Sequence, residues 1–392
     1  MKISLSIGVL AAILDAIAGS TFQDKKRIVL PLNLGPAVDV THFKSFMNSA
    51  VPLSVINLWQ FYVEMQVGVP PQNVSIVIDT TIRETFLPST NCQSFGCLPM
   101  LPNAFNPDLS ETRRISQDRF ELLINDYNYD FTKVIGNLTL DTFTLGPMAF
   151  LGDFLLVDET DPPKITTVMY NGRFGLGLIS QNDPPSLLPS IFQDVYPHIV
   201  SWYYFPFEGY GVVGGLEIGS VNYDLVDMNT WQTFPNVDHV NGGNQWAFPL
   251  NNIGINGQSL GSNGYALIDT STPLIIGPLP LINTLNAMIG FAQHGGKLIQ
   301  ADNDPDTMTY QIPCNATALL PDVDVMIASV AYKIPSTSYL IGDGNTCISV
   351  LRGMQDAASW VVGMSMFKGI MMALDYENGT ISLGILKPLP GL

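Results

Sequence analysis

The segments Ile76-Val77-Ile78-Asp79-Thr80-Thr81 and Ala266-Leu267-Ile268-Asp269-Thr270-Ser271 share one form, an apolar run ending in Asp-Thr, and lie 190 residues apart. A second feature follows each at nearly the same distance. Phe174-Gly175-Leu176-Gly177-Leu178 places Gly175 96 positions after Asp79, and Trp360-Val361-Val362-Gly363 places Gly363 94 positions after Asp269. Two features recurring at one offset mark an internal repeat. The chain is therefore expected to form two similar lobes, each bringing an apolar strand to an Asp-bearing loop and passing a second apolar-Gly strand beside it.

Composition sets the class of those lobes. A chain of 392 residues exceeds one ordinary core, so two domains are expected. Its 46% hydrophobic and 13% charged residues exclude a disordered protein. The 34 Gly and 28 Pro, separated by Thr, Val, Ile and aromatic residues, point to many short strands joined by turns. The fold class read from this pattern is all-β.

The start of the chain reads as targeting. Lys2 precedes an apolar run from Ile3 to Leu14, and Ala16-Ile17-Ala18 supplies a small-x-small cleavage pattern, so residues 1–18 read as a secretory signal peptide. Both this run and Val361 to Leu374 fall short of the roughly 20 apolar residues that span a bilayer. No membrane span is expected. Five of the 17 basic residues precede residue 51, and the remainder carries a formal charge of −19. A basic leader before an acidic body suggests a detachable prosegment at 19–50, with a flexible basic tail as the alternative. The lobes are then expected at 51–222 and 223–392. So acidic a body repels nucleic acid and anionic membranes, so neither is expected as a partner.

Cysteine usage agrees with secretion. Four cysteines allow three connectivities, and the sequence suggests Cys92 with Cys97 and Cys314 with Cys347. A zinc site would want close Cys/His pairs, whereas His42, His198, His239 and His294 are scattered; no metal is expected. Asn73, Asn137, Asn315 and Asn378 each open an N-x-S/T acceptor sequence, which fits a lumenal or extracellular route. Two literal motif matches lack their context. Gly209 to Gly214 fits G-x-G-x-x-G and Gly257 to Gly261 fits G-x-S-x-G, but no helical pattern follows either, and both read as hairpin turns.

From about Leu53 onward the chain resembles the pepsin-like aspartic peptidases of family A1. The resemblance rests on ordered segments: FYVEMQVGVPPQNVSIVIDTT, FLPSTNC, GNLTLDTFTLG, GRFGLGL, VVGGLEIGSVNYD, ALIDTSTPLIIGP, LPDV with TSYLIGDGNTC, and WVVGMSMFKGIMMALDYENGTISLG. It implies two β lobes about a pseudo-twofold axis, a long cleft between them, and no cofactor. Asp79 and Asp269 would be the catalytic pair, supported by Thr80, Thr270 and Thr272. Two facing carboxylates cannot easily both ionise, so they share a proton. One then takes a proton from water while the other donates to the carbonyl oxygen. Tyr129 aligns with the tyrosine of the family's cleft-covering flap, with Tyr127 as its rival.

Departures from the family pattern qualify this expectation. Its Asp-Thr-Gly becomes Asp79-Thr80-Thr81 and Asp269-Thr270-Ser271, which adds a Cβ where Gly permits close approach. Ile82 stands where the family has a hydroxyl, so the first half-site reads as the more damaged. Arg83, facing inward, would disturb proton sharing. Glu84 follows it, Phe86 replaces a Trp, and Arg173 replaces an apolar residue before Gly175. Lys44 is a candidate for covering the acid pair. The reading is a secreted aspartic endopeptidase, monomeric, working in acid on extended peptides, outside the cell or in the lumen of an acidic compartment such as lysosome or gut. The alternative is an inactive homologue that binds peptides or acts as an interaction protein.

Overall fold

The computed structural model describes residues 27–36, 59–94, 97, 104–125, 131–160, 172–178, 185–205, 211–237, 245–261, 264–300, 307–328, 330–342, 345–355, 357 and 359–388. Among them the fold is all-β and bilobal, with the longest helix at Leu279–Ile289. The strands form sheets of thirteen, nine and four.

The thirteen-stranded sheet draws on both halves of the chain. Gln232–Pro235, Thr380–Ile385 and Ile370–Asp375 lie at one end, and Ile199–Tyr204 and Gly211–Ile218 continue it towards the strands that carry Asp79. Strand Ile28–Pro36 stands inside this sheet, antiparallel to Gly211–Ile218 on one side and to Trp59–Val67 on the other. Alternate residues Ile28, Leu30 and Leu32 are buried, the period-two pattern of a strand with one face on a core. This part of the expected prosegment is thus a sheet strand, and the flexible-tail alternative does not describe residues 28–36. Residues 1–26 and 37–58, including Lys44, lie outside the described residues.

Strand Gln72–Asp79 changes character along its length. Exposed Asn73 and buried Val74 begin an alternation that becomes continuous burial from Ile76 to Asp79. Its last residues pair in parallel with Arg173–Gly175, and parallel strands covered on both faces take continuous apolar runs. In the nine-stranded sheet, Gly264–Asp269 likewise runs parallel to Trp360–Gly363, with Ala266, Ile268 and Asp269 buried and Leu267 half-buried. Core packing follows the two lobes and their junction, with a smaller cluster of Ile82, Phe86, Ile124, Val134, Leu155 and Val157 beneath the first.

Both cysteine pairs are bonded, Cys92 to Cys97 and Cys314 to Cys347. The G-x-S-x-G match is a tight hairpin: Asn256 and Gly257, with φ of 51° and 77°, connect Asn252–Ile255 to Gln258–Ser259. Positive φ at both central residues is what the hairpin turn needs, which explains Asn-Gly there.

Candidate active site

Each acidic residue ends its strand opposite a glycine. Asp79 is in register with Gly175, and Asp269 with Gly363. The loop after each Asp folds back past that glycine. Gly177 N–H donates to the Ile82 carbonyl at 2.8 Å in the first lobe, and Gly363 N–H to the Leu274 carbonyl at 2.7 Å in the second. A Cβ on Gly175 would stand 2.4 Å from the Arg83 carbonyl, and one on Gly363 would stand 2.3 Å from the Thr272 oxygen. No side chain fits there, so the two repeat glycines allow the crossings that hold the Asp loops.

The loops meet through Thr80 and Thr270. Thr80 N–H donates to Thr270 Oγ1 at 3.1 Å, and Thr270 N–H donates to Thr80 Oγ1 at 3.2 Å. Each hydroxyl then donates across the lobe junction, Thr80 to the Ile268 carbonyl at 2.7 Å and Thr270 to the Ile78 carbonyl at 2.8 Å. All four groups are buried, and each hydroxyl both donates and accepts. The reciprocal exchange fixes the two carboxylates relative to one another. Behind them, Trp246 Nε1–H and the Tyr376 hydroxyl both donate to the Leu176 carbonyl, at 3.0 and 2.5 Å.

The Oδ1 oxygens of the two carboxyls match. Asp79 Oδ1 accepts from the Thr81 N–H at 2.8 Å and its hydroxyl at 2.6 Å. Asp269 Oδ1 accepts from the Ser271 N–H and hydroxyl, both at 2.7 Å. The Oδ2 oxygens differ. Asp79 Oδ2 accepts a hydrogen bond from Arg173 Nη1 in a buried ion pair, with Arg173 4% and Asp79 0% exposed. Asp269 Oδ2 has no hydrogen-bond partner among the described residues. Burial first, and then the negative charge of Asp79, hold the Asp269 carboxyl well above its ordinary range, against the Ser271 bonds. The site therefore sets Asp79, ion-paired with Arg173, against an Asp269 whose carboxyl resists ionisation.

Several expected residues stand elsewhere or act otherwise. Thr272, expected to support the carboxylate, uses its hydroxyl to accept the Leu274 N–H at 3.2 Å. The hydroxyl on Asp269 belongs to Ser271, and its counterpart in the first lobe is Thr81. Thr81 gives Asp79 the hydroxyl that Ser271 gives Asp269, so the hydroxyl expected to be lost at Ile82 is supplied from the neighbouring position, while the Arg173 bond keeps Asp79 the half-site that departs from the repeat. Ile82 instead packs in the smaller core cluster with Phe86. The cation on Asp79 is Arg173 rather than Arg83, whose N–H donates to the Glu84 carboxylate at 3.1 Å. Tyr129 and Tyr127 lie outside the described residues.

Among the acceptor asparagines, Asn73, Asn315 and Asn378 are exposed, whereas Asn137 is half-buried and donates to the Ser116 carbonyl at 3.1 Å. Sequence reasoning missed the Thr81 and Ser271 hydroxyl bonds and the Arg173 ion pair. The signal for the last was present, a cation in an otherwise apolar strand two residues before the repeat glycine.

Crossed loops, paired acids and reciprocal threonines define an aspartic peptidase-type centre. Residues 60–386 match the eukaryotic aspartyl protease family, and the chain belongs to it. It is 24% identical over 335 residues to pepsin II-1 of Oryctolagus cuniculus, covering 83% of this chain and 80% of that protein. With pepsin A of Rhinolophus ferrumequinum it shares 23% over 373 residues, covering 90% and 87%. With the embryonic pepsinogen of Gallus gallus it shares 24% over 344 residues, covering 83% and 80%.

Proposed function

We propose that the chain is a secreted aspartic-type endopeptidase that hydrolyses extended peptides in acid through water activated between Asp79 and Asp269. The observation that carries this reading is the Thr80–Thr270 exchange, which joins the loops that carry Asp79 and Asp269. In this mechanism Asp79 takes a proton from water as the water oxygen bonds to the peptide carbonyl carbon. Asp269 gives its proton to the carbonyl oxygen, leaving a tetrahedral diol. Asp79 then protonates the amide nitrogen, the C–N bond breaks, and a diol hydroxyl returns a proton to Asp269. Atoms and charge balance without a metal or a covalent intermediate. Substrate would lie extended in the cleft, bound largely through its backbone.

The prosegment at 19–50, the lobes at 51–222 and 223–392, the signal peptide and the four glycosylation sites belong to the same proposal, as does a monomeric protein in the extracellular space or an acidic lumen. No helix among the described residues is long and apolar enough to cross a membrane.

One observation favours a second reading, a peptide-binding homologue without turnover: the Arg173 guanidinium on Asp79. Assay of the purified chain on denatured globin with a statine-type inhibitor separates the two. Inhibitor-sensitive cleavage supports the peptidase. Peptide binding with no cleavage at any pH supports the binder.

A further inference from the structure

Four pairs of hydrogen bonds at the acid pair obey the repeat, and the bond on Asp79 Oδ2 does not. Thr80 mirrors Thr270, and the two donors on Asp79 Oδ1 mirror those on Asp269 Oδ1. The exception lies in the neighbouring strands. Val77 is in register with Arg173 in the first lobe, and Leu267 with Val361 in the second. The repeat thus places an arginine in one lobe where the other has valine. That arginine is 4% exposed and hydrogen-bonded to Asp79 Oδ2, while its Nε has no hydrogen-bond partner among the described residues.

We propose that Arg173 is a built-in restraint on hydrolysis, a positioning residue whose guanidinium occupies Asp79 Oδ2, the oxygen of Asp79 left to receive the proton of water. This rests on the peptidase reading above. A carboxylate acts as a base through a free lone pair aimed at the water. On Asp79, Oδ1 already accepts two donors and Oδ2 holds a charge-assisted bond to a buried cation, which is stronger than a bond between neutral groups. Taking up the water proton would leave that cation buried without its partner, which is unfavourable. The restraint therefore acts on the chemical step rather than on peptide binding.

The charged groups around Asp79 give the restraint a pH signature. Arg173 faces it from the adjacent strand and Asp269 from the other lobe. Along its own loop come Arg83 and Glu84, the latter engaged with the Arg83 N–H. With Arg173 in place, the ion pair is neutral and Asp269 holds a proton beside it. Removing the cation leaves the charge of Asp79 uncompensated, which favours the proton on the acid pair. Loss of that proton then moves to higher pH and belongs to the pair as a whole.

The test compares the full chain with Arg173→Val, which gives the first lobe the residue of the second, and Arg173→Lys, which keeps the charge. Cleavage of denatured globin is followed from about pH 3 to about pH 7. Expected is a rise in kcat of about tenfold or more for Arg173→Val with KM nearly unchanged, and an alkaline limb displaced upward by about one pH unit. Arg173→Lys retains a cation and should show neither the rise in kcat nor the upward displacement of the alkaline limb. A merely structural role would not move the pH limb upward. If Arg173→Val does not fold, Arg173→Gln removes the charge with less change of shape and carries the same expectation.

Parent activity with no gain in a folded neutral variant overturns the restraint and leaves the peptidase reading intact. Silence of parent and neutral variants alike overturns both. A silent parent with an active variant supports both.

Discussion

Arg173 and Asp79, side chains from adjacent parallel strands, form a buried ion pair within the repeat, whereas the position corresponding to Arg173 in the other lobe is Val361. The two acids of the repeat consequently differ in charge partner although their loops are built alike. This asymmetry distinguishes the effects of replacing them.

Asp79→Asn and Asp269→Asn are each expected to abolish cleavage, yet they should differ in stability. Asp79→Asn leaves the buried Arg173 without its charge partner, and breaking a buried pair costs about 3–5 kcal/mol. Asp269→Asn removes no ion pair and should cost far less. Chemical denaturation of both variants near neutral pH checks the difference, with the midpoint of Asp79→Asn expected much the lower.

Stability should fall as pH rises from the acid range towards neutrality. Burial, followed by the charge of Asp79, raises the Asp269 carboxyl above 3.8, and burial raises Glu217 above 4.5 despite its Ser220 bond and the Arg27 charge. A carboxyl whose folded value is raised contributes stability that is fully present below its unfolded value and is lost as pH climbs through the folded one. Melting temperature measured across this window should decline, and the decline should be shallower in Asp269→Asn and in Glu217→Gln.

Thr80→Val should destabilise by about 1–3 kcal/mol, because it leaves the Thr270 N–H buried without its acceptor. The Thr80→Val, Thr270→Val double variant should cost less than the sum of the single changes, since the exchange is shared. A double-mutant cycle from denaturant midpoints gives the coupling directly.

Gly363→Ala should prevent folding or lower stability by more than the usual 1–3 kcal/mol of overpacking, because its Cβ would meet backbone oxygens of Thr272 and Leu274 at 2.3 and 2.5 Å. Gly379→Ala is a useful comparison. Its Cβ would meet nothing within 4 Å, so its cost should come from the φ of 59° alone. Circular dichroism and thermal melting of the two variants separate steric from conformational penalties.

Much of the site was legible in the sequence because its geometry is carried by a repeat. The 96- and 94-residue offsets from each Asp to its glycine correspond to parallel register pairs, Asp79 with Gly175 and Asp269 with Gly363. The continuous apolar run before Asp79 likewise matches a strand buried on both faces, whereas the run before Asp269 keeps a half-buried Leu267. Side-chain choices within the loops were less legible. Thr81 and Ser271 read as intrusions on a glycine position, but their hydroxyls fold back onto the carboxylates, which spacing alone does not reveal. Arg173 was visible as a break in an apolar strand, but its partner was not. Which carboxylate a buried guanidinium reaches depends on strand register between residues 94 positions apart.

Hydrolysis by the purified protein is the decisive measurement. Purified full chain is incubated with denatured globin from about pH 3 to about pH 6, with and without a statine-type inhibitor, beside Asp269→Asn. The expected result is slow cleavage that the inhibitor blocks and Asp269→Asn lacks. Peptide binding without inhibitor-sensitive cleavage at any pH, in both the parent and a folded Arg173→Val variant, would contradict it.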